Sequence, residues 1–159
     1  MRRNKTYFKR EPGIPDPLTY SFKRRARFGE VDAMAVMWHG HYATLFEEAS
    51  TELRRKSGLS YEDFFNAKVY APIVQLHVDY FSSLTLDELF TVTARMFWTE
   101  AARINIEYEI TKENGSLAAT GYTVQLFSSA VTGEPCFTMP PLLEEQQKLW
   151  LDGKLEERA

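Results

Sequence analysis

Residues 40–57, Gly40-His41-Tyr42-Ala43-Thr44-Leu45-Phe46-Glu47-Glu48-Ala49-Ser50-Thr51-Glu52-Leu53-Arg54-Arg55-Lys56-Ser57, decide the fold. Tyr42, Leu45, Phe46, Ala49 and Leu53 recur at i, i+3, i+4, i+7 and i+11, one narrow stripe of an α-helix. Arg54, Arg55 and Lys56 crowd the last turn, where cations meet the negative end of the helix dipole, and Gly58 suits the left-handed residue that ends a helix. A helix of ~18 residues is about 27 Å long, comparable to the width of a sheet of several strands. No other kind of element in the chain can cover its stripe, so the helix is expected to lie across a sheet.

The strands stand on both sides of it. Upstream, Leu18, Tyr20 and Phe22 alternate with Thr19, Ser21 and Lys23, a half-buried strand whose pattern continues through Ala26 and Phe28, followed by a linker from Gly29 to Trp38. Downstream, Ser60 with Asp63 three residues on predicts a capped short helix to about Asn66. Residues 69–127 then run in period two: Tyr70, Val74, Leu76, Val78, Tyr80; Phe90, Val92, Met96, Trp98; Ile104, Ile106, Tyr108, Ile110; Tyr122, Val124, Leu126. Four strands are expected, separated by turns at 82–87, 99–101 and 113–116. The last turn holds Asn114-Gly115, the strongest two-residue hairpin signal. Connections this short predict antiparallel neighbours. The fold class is therefore α+β, with one antiparallel sheet of five or more strands wrapped around one long central helix.

Residues 1–17 carry Pro12, Pro15 and Pro17 without periodicity and read as a poorly ordered basic lead-in; 18–145 form the domain; 146–159 continue a polar helical tail that begins near Leu142, after a Thr132-Gly133 turn and Pro140-Pro141. No internal repeat or low-complexity tract is visible.

A chain of 159 residues fits one domain, and 44% apolar with 26% charged residues is an ordinary globular composition. No stretch approaches the ~20 apolar residues of a membrane span. The first ten residues have charge where a signal peptide needs an apolar core, and the single Cys136 allows neither an internal disulfide nor a cysteine zinc site, so the cytoplasm is the expected compartment. Residues 1–27 hold nine Lys/Arg against Glu11 and Asp16, a local +7, leaving −10 for the remainder of a chain of net charge −3. An acidic body argues against nucleic acid, even with Arg95 and Trp98 able to stack on a base. Lys23, Arg24, Arg25 and Arg27 form a basic cluster that can meet a phosphorylated small molecule.

The linker Gly29-Glu30-Val31-Asp32-Ala33-Met34-Ala35-Val36-Met37-Trp38-His39-Gly40-His41-Tyr42 puts a carboxylate, Asp32, among apolar residues just before the helix. Two readings stand: a turn or capping aspartate, or a base or nucleophile in an apolar pocket facing the free N–H groups of the helix N-terminus. His39 and His41, two apart, make a poor metal pair, and no metal site is expected. Glu47 and Glu48 lie off the apolar stripe, while His77 and Asp79 suit cross-strand pairing. Serine-hydrolase, dinucleotide and phosphate-loop motifs are missing.

The stretches Arg27-Phe28-Gly29-Glu30-Val31-Asp32-Ala33-Met34, Val36-Met37-Trp38-His39-Gly40-His41-Tyr42 and Phe46-Glu47-Glu48-Ala49 together resemble the 4-hydroxybenzoyl-CoA thioesterase family of hotdog-fold acyl-CoA thioesterases. Tyr70-Ala71-Pro72, Thr132-Gly133-Glu134-Pro135 and Met139-Pro140 extend the resemblance over residues 18–145. It implies a coenzyme A thioester substrate, no cofactor besides the CoA of the substrate, no metal, and a homodimer or a tetramer of dimers. It implies that Asp32 is the catalytic nucleophile or general base and that the His39 backbone N–H polarises the thioester carbonyl. Trp38, Gly40, Tyr42, Phe46 and Arg103 are expected to contact substrate. Three positions depart from the family pattern: Ala35 stands where glycine is usual, His41 where asparagine is common, and Ala102-Arg103 where the turn often has serine. A Cβ at position 35 resists a positive φ, and Arg103 can pair with a phosphate. The rival functions are a non-catalytic module that binds an acyl thioester and a thioesterase acting on an acyl carrier protein, with the basic segment meeting an acidic partner.

Overall fold

The structure is a computed structural model and describes residues 6–155; Arg2, Arg3 and Lys5 of the basic arm lie outside the described residues. Its five-stranded antiparallel sheet contains β1 (Leu18–Arg25), β3 (Ile73–Tyr80), β4 (Leu89–Phe97), β5 (Arg103–Lys112) and β6 (Leu117–Leu126) in the order β1-β4-β5-β6-β3. A two-residue β2 (Val69–Tyr70) pairs with β7 (Ser128–Ser129) beside it. The β4-β5 and β5-β6 connections are hairpins, and Gly115 in the second has the positive φ (83°) its turn requires. The short 81–88 segment is a crossover rather than the expected hairpin. It carries Leu84, with no exposed surface, beneath the end of the sheet, so β3 pairs with β6 and β4 with β1.

Helix α1 (His41–Lys56) is 16 residues long and follows the predicted stripe: Tyr42, Leu45, Phe46, Ala49 and Leu53 are all at most 3% exposed. Phe46 stacks on Tyr108 of β5 with centroids 4.3 Å apart and rings 7° from parallel. Burying each large side chain of this face contributes roughly 1.5–3 kcal/mol. The contact is close because β6 has a glycine here: a Cβ on Gly121 would lie 2.2 Å from the His77 carbonyl oxygen and 2.5 Å from the Phe46 ring. Helix α2 (Tyr61–Ala67) starts at Ser60, whose Oγ accepts from the Asp63 N–H while Asp63 accepts from the Ser60 N–H, the predicted capping box.

The two chain ends are tied to the sheet. On the face opposite α1, the Tyr7 hydroxyl donates to Asp79 Oδ2 at 2.6 Å, and the Phe8 N–H donates to Glu107 Oε1 at 2.7 Å while its ring packs on Phe97 and Tyr122. Burial, then the Asp79 carboxylate, pushes the Tyr7 phenol up to about 12; burial also raises Glu107. Helix α3 (Pro141–Leu151) buries Leu143, Gln146, Gln147 and Trp150. Trp150 meets the Trp98 ring edge-on at 5.3 Å and donates to the Asp16 carbonyl. Local patterning held no sign of these contacts, because their partners lie about 50 to 130 residues away in sequence.

β3 is an edge strand of eight residues and is unusually apolar for one. Ile73, Val74, Leu76 and Tyr80 are about half exposed. Tyr80, Leu76 and Ile73 lie on the α1 side of the sheet, the last after a register shift between Ile73 and Gln75.

Candidate active site

The 26–40 linker follows β1 and closes on itself as a small hairpin. The Asp32 N–H donates to the Val36 carbonyl at 2.9 Å and the Trp38 N–H to the Glu30 carbonyl at 2.9 Å. The turn is tightened by the Ala35 N–H bonding to the Asp32 carbonyl and by Asp32 Oδ1 accepting from the Met34 N–H at 2.8 Å. Ala35 occupies the left-handed region with φ 59°, the conformation that a glycine would take without strain. The crossover fastens the hairpin from below: the Met37 N–H donates to Leu84, and the Leu86 N–H donates to Ala35.

An ion pair braces the first strand of this hairpin. Arg24 lies in the inward row of β1 and bonds Glu30 through both guanidinium nitrogens, at 2.6 and 3.0 Å, with its Cζ 5.3 Å from the Phe90 ring centroid. The Glu30 carboxylate also accepts from the Arg27 N–H. The Arg24 bond, opposed by burial and helped by Arg27, holds Glu30 below the usual carboxylate range. Arg24 is thus committed internally, and Arg25 donates to the Asp87 carbonyl, so half of the basic cluster serves structure.

Trp38 ends the hairpin and His39 and Gly40 lead into α1. Among the described residues no acceptor faces the His39 N–H, which stands just before a 16-residue helix whose dipole favours negative charge there. The segment is held from across the sheet end by Tyr80, whose hydroxyl donates to the His39 carbonyl at 2.7 Å and whose ring meets Tyr42 edge-on at 5.0 Å. Trp38 covers the entrance to the helix, its ring 5.1 Å from His39 and 5.4 Å from His41. A Cβ on Gly40 would fall 2.2 Å from that indole, so glycine here keeps room for the ring.

Asp32 therefore sits in the same linker hairpin that carries Trp38, His39 and Gly40 into α1, its carboxylate half-buried with one oxygen tied to a backbone N–H. Chemically this pairs a base or nucleophile with a helix N-terminus able to hold an oxyanion. The other expected contacts lie elsewhere. Tyr42 and Phe46 belong to the core at 2% and 1% exposure, because the apolar stripe that predicted the helix is the face it buries. Arg103 opens β5 and pairs with Leu126, at the end of the sheet remote from the β1–linker junction, where Arg25 faces Leu89; the nine residues of β4 separate the two ends by about 30 Å at ~3.3 Å per residue. Within one chain Arg103 cannot join Asp32. Tyr80 and Glu30 escaped the sequence reading, and Arg24 was expected to face a phosphorylated ligand: Tyr80 looked like one more apolar strand residue, and the Arg24–Glu30 pair is formed by the turn between them. Among the described residues no group of three or more His, Cys, Asp or Glu side chains is placed to hold a metal ion.

Comparison with known proteins gives this geometry a family. The profile of the Thioesterase-like superfamily matches residues 26–148, which span the linker, α1, α2, every strand of the sheet except β1, and most of α3. A DHNA-CoA thioesterase from Staphylococcus aureus is 31% identical, with a TM-score of 0.70 over 89% of this chain and 99% of that one. Two more distant structures share the fold: a 1,4-dihydroxy-2-naphthoyl-CoA thioesterase from Synechocystis (17% identical, TM-score 0.72, 82% and 96% of the two chains) and a hypothetical protein from Staphylococcus aureus in complex with CoA (21%, 0.74, 94% and 92%).

Proposed function

Because the chain belongs to the Thioesterase-like superfamily, we propose that it hydrolyses an acyl-CoA thioester to the free acid and CoA, within the 4-hydroxybenzoyl-CoA thioesterase branch of that superfamily. The observation that carries this reading is the half-buried Asp32 carboxylate at the turn of the linker hairpin, whose second strand runs through Trp38 and His39 into the N-terminus of α1. The names of two similar structures direct the substrate class toward aryl-CoA thioesters, and a third was solved with CoA.

As general base, Asp32 takes a proton from water while the oxygen attacks the thioester carbonyl. The His39 N–H bonds the developing oxyanion, collapse breaks the C–S bond, and the CoA thiolate recovers the proton from Asp32. As nucleophile, the carboxylate itself displaces the thiolate to give an anhydride, which water then opens. One turnover in ¹⁸O-water separates the routes, since only the anhydride route can leave label in Asp32. Tyr80 fixes the His39–Gly40 peptide through the His39 carbonyl, and the neighbouring peptide that carries the polarising N–H is held by its own Trp38 carbonyl, which accepts from the His41 N–H. Neither route needs a metal, so chelators should leave activity intact. The single Cys136 and the absence of a helix long and apolar enough to span a membrane among the described residues suit a cytoplasmic enzyme.

The exposed β3 edge supports a homodimer. Two copies pairing antiparallel through β3, centred near Leu76 and His77, cover its unpaired backbone and its half-exposed apolar side chains and set Tyr80 of each copy near Ile73 of the other.

The test is Asp32→Asn. The amide retains the oxygen that accepts from Met34 yet can neither take a proton nor attack, so hydrolysis of aryl-CoA substrates should fall at least ~100-fold with melting temperature and CoA-thioester binding little changed. A folded variant with more than about a tenth of wild-type turnover overturns the assignment.

A further inference from the structure

A cavity of about 820 Å³ opens between α1, α2 and β2, on the α1 side of the β3 edge, a volume suited to a small organic ligand. Its walls are mainly apolar, including Phe64, Phe65, Val69 and Ile73, and of its three charged side chains one, Arg54, is buried without a partner. Arg54 is 4% exposed, and none of its guanidinium nitrogens has a hydrogen-bond or ion-pair partner among the described residues; its Nε is fully buried and unsatisfied. Its Cζ lies 4.9 Å from the Tyr61 ring centroid and 5.6 Å from that of Phe64, so α2 presses two aromatic faces on the cation and holds it against the cavity. Two other charged groups line the space. Glu47, two helical turns earlier, has Oε1 accepting from Thr51 and from the Tyr61 hydroxyl; Lys68 is exposed at the rim. A buried, unpaired guanidinium is costly unless an anion completes it.

We propose that this cavity receives the acyl end of the substrate and that Arg54 recognises a carboxylate at the far end of that acyl group. The planar guanidinium matches a carboxylate in shape, and the apolar walls suit the hydrocarbon or aryl body between carboxylate and thioester. The proposal rests on the thioesterase reading for the position of the thioester. It rests also on the β3-paired dimer proposed above, in which the Ile73 wall of one copy's cavity would lie beside Tyr80 of the second copy and the His39 segment that Tyr80 holds. Arg54 is a specificity residue here and takes no part in breaking the C–S bond.

Thiol release is compared for two matched pairs, adipoyl-CoA against hexanoyl-CoA and 4-carboxybenzoyl-CoA against 4-methylbenzoyl-CoA. Wild type should favour the acid of at least one pair by ~10- to 100-fold in kcat/KM, the range of one charge-assisted hydrogen-bonded contact. Arg54→Met keeps the apolar stem and removes an unpaired buried charge; it should fold, abolish the preference and leave turnover of the neutral member within a few-fold. Arg54→Gln serves if the methionine variant does not fold. Binding of free adipate and terephthalate, by calorimetry, gives a readout independent of hydrolysis. If no thioester is cleaved but these dicarboxylates bind wild type and lose at least tenfold in the variant, the thioesterase reading fails and the Arg54 site stands. Equal turnover of acid and neutral members, a preference that survives in both variants, or no Arg54-dependent binding overturns the proposal.

Discussion

Replacing Ala35 with glycine should stabilise this protein. Ala35 holds φ at 59°, where its Cβ crowds the following carbonyl at a cost of ~1–2 kcal/mol for an L-residue. Glycine removes that cost but adds about 0.5–1 kcal/mol of backbone entropy to the unfolded chain. The methyl group is exposed, so its loss removes little packing, and the two bonds through this residue, its N–H to Asp32 and its carbonyl from Leu86, are backbone bonds that glycine keeps. The net expectation is about 0.5–1 kcal/mol, which for a domain of this size is a rise of roughly 1–4 °C in melting temperature. Thermal and urea unfolding followed by circular dichroism measures it, with an unchanged urea slope showing that the denatured state is the same. Turnover should stay within about twofold, because the turn that presents Asp32 is unaltered. Ala33→Gly, in the same exposed turn but without a positive φ, is the control and should lose stability by about 0.5–1 kcal/mol. A glycine at 35 that lowers the melting temperature, or the same response at both positions, would refute the strain argument.

Tyr80→Phe removes the bond to the His39 carbonyl and should cut kcat/KM about five- to tenfold, the worth of one ordinary hydrogen bond, with little change in melting temperature because Tyr80 is half exposed; steady-state kinetics with the best acyl-CoA checks it. Glu30→Gln should cost roughly 2–3 kcal/mol at pH 7, since Arg24 keeps a weaker partner in a site where both side chains are about 15% exposed. Glu30 is depressed when folded, so its contribution is present above the ordinary carboxylate pKa and disappears as pH falls through the lower folded value. Urea melts should show wild type and variant converging below about pH 4. Glu107→Gln has the opposite sign: burial raises this carboxyl when folded, so wild type loses stability as pH rises through the folded value. The amide, which still accepts from the Phe8 N–H, should gain on wild type between pH 4 and pH 8 in the same assay.

Some of this protein was written locally in its sequence. The five-residue stripe of α1, the Ser60–Asp63 box, the period-two runs of β3 to β6 and the Asn114-Gly115 turn each depend on residues within a turn or two of one another, and each occurs where the spacing places it. Asp32 was conspicuous for a related reason, a carboxylate in an apolar linker against a helix start, whereas Ala35 stood out only against the family pattern, as a side chain where glycine is usual, and the structure gives it φ 59°. Strand order was not legible: an eight-residue connection can be a hairpin or a crossover, and only burial of Leu84 beneath the sheet decides for the crossover. Tertiary structure also decided which residues surround the site. It committed Tyr42 and Phe46 to the core, sent Arg103 to the other end of the sheet, brought Tyr80 to the His39 carbonyl across 41 residues, and left Arg54 without a counter-charge between two rings of α2. Periodicity reports which face of an element is apolar, whereas a site is made where separate elements meet, and that meeting is set by packing of the whole chain.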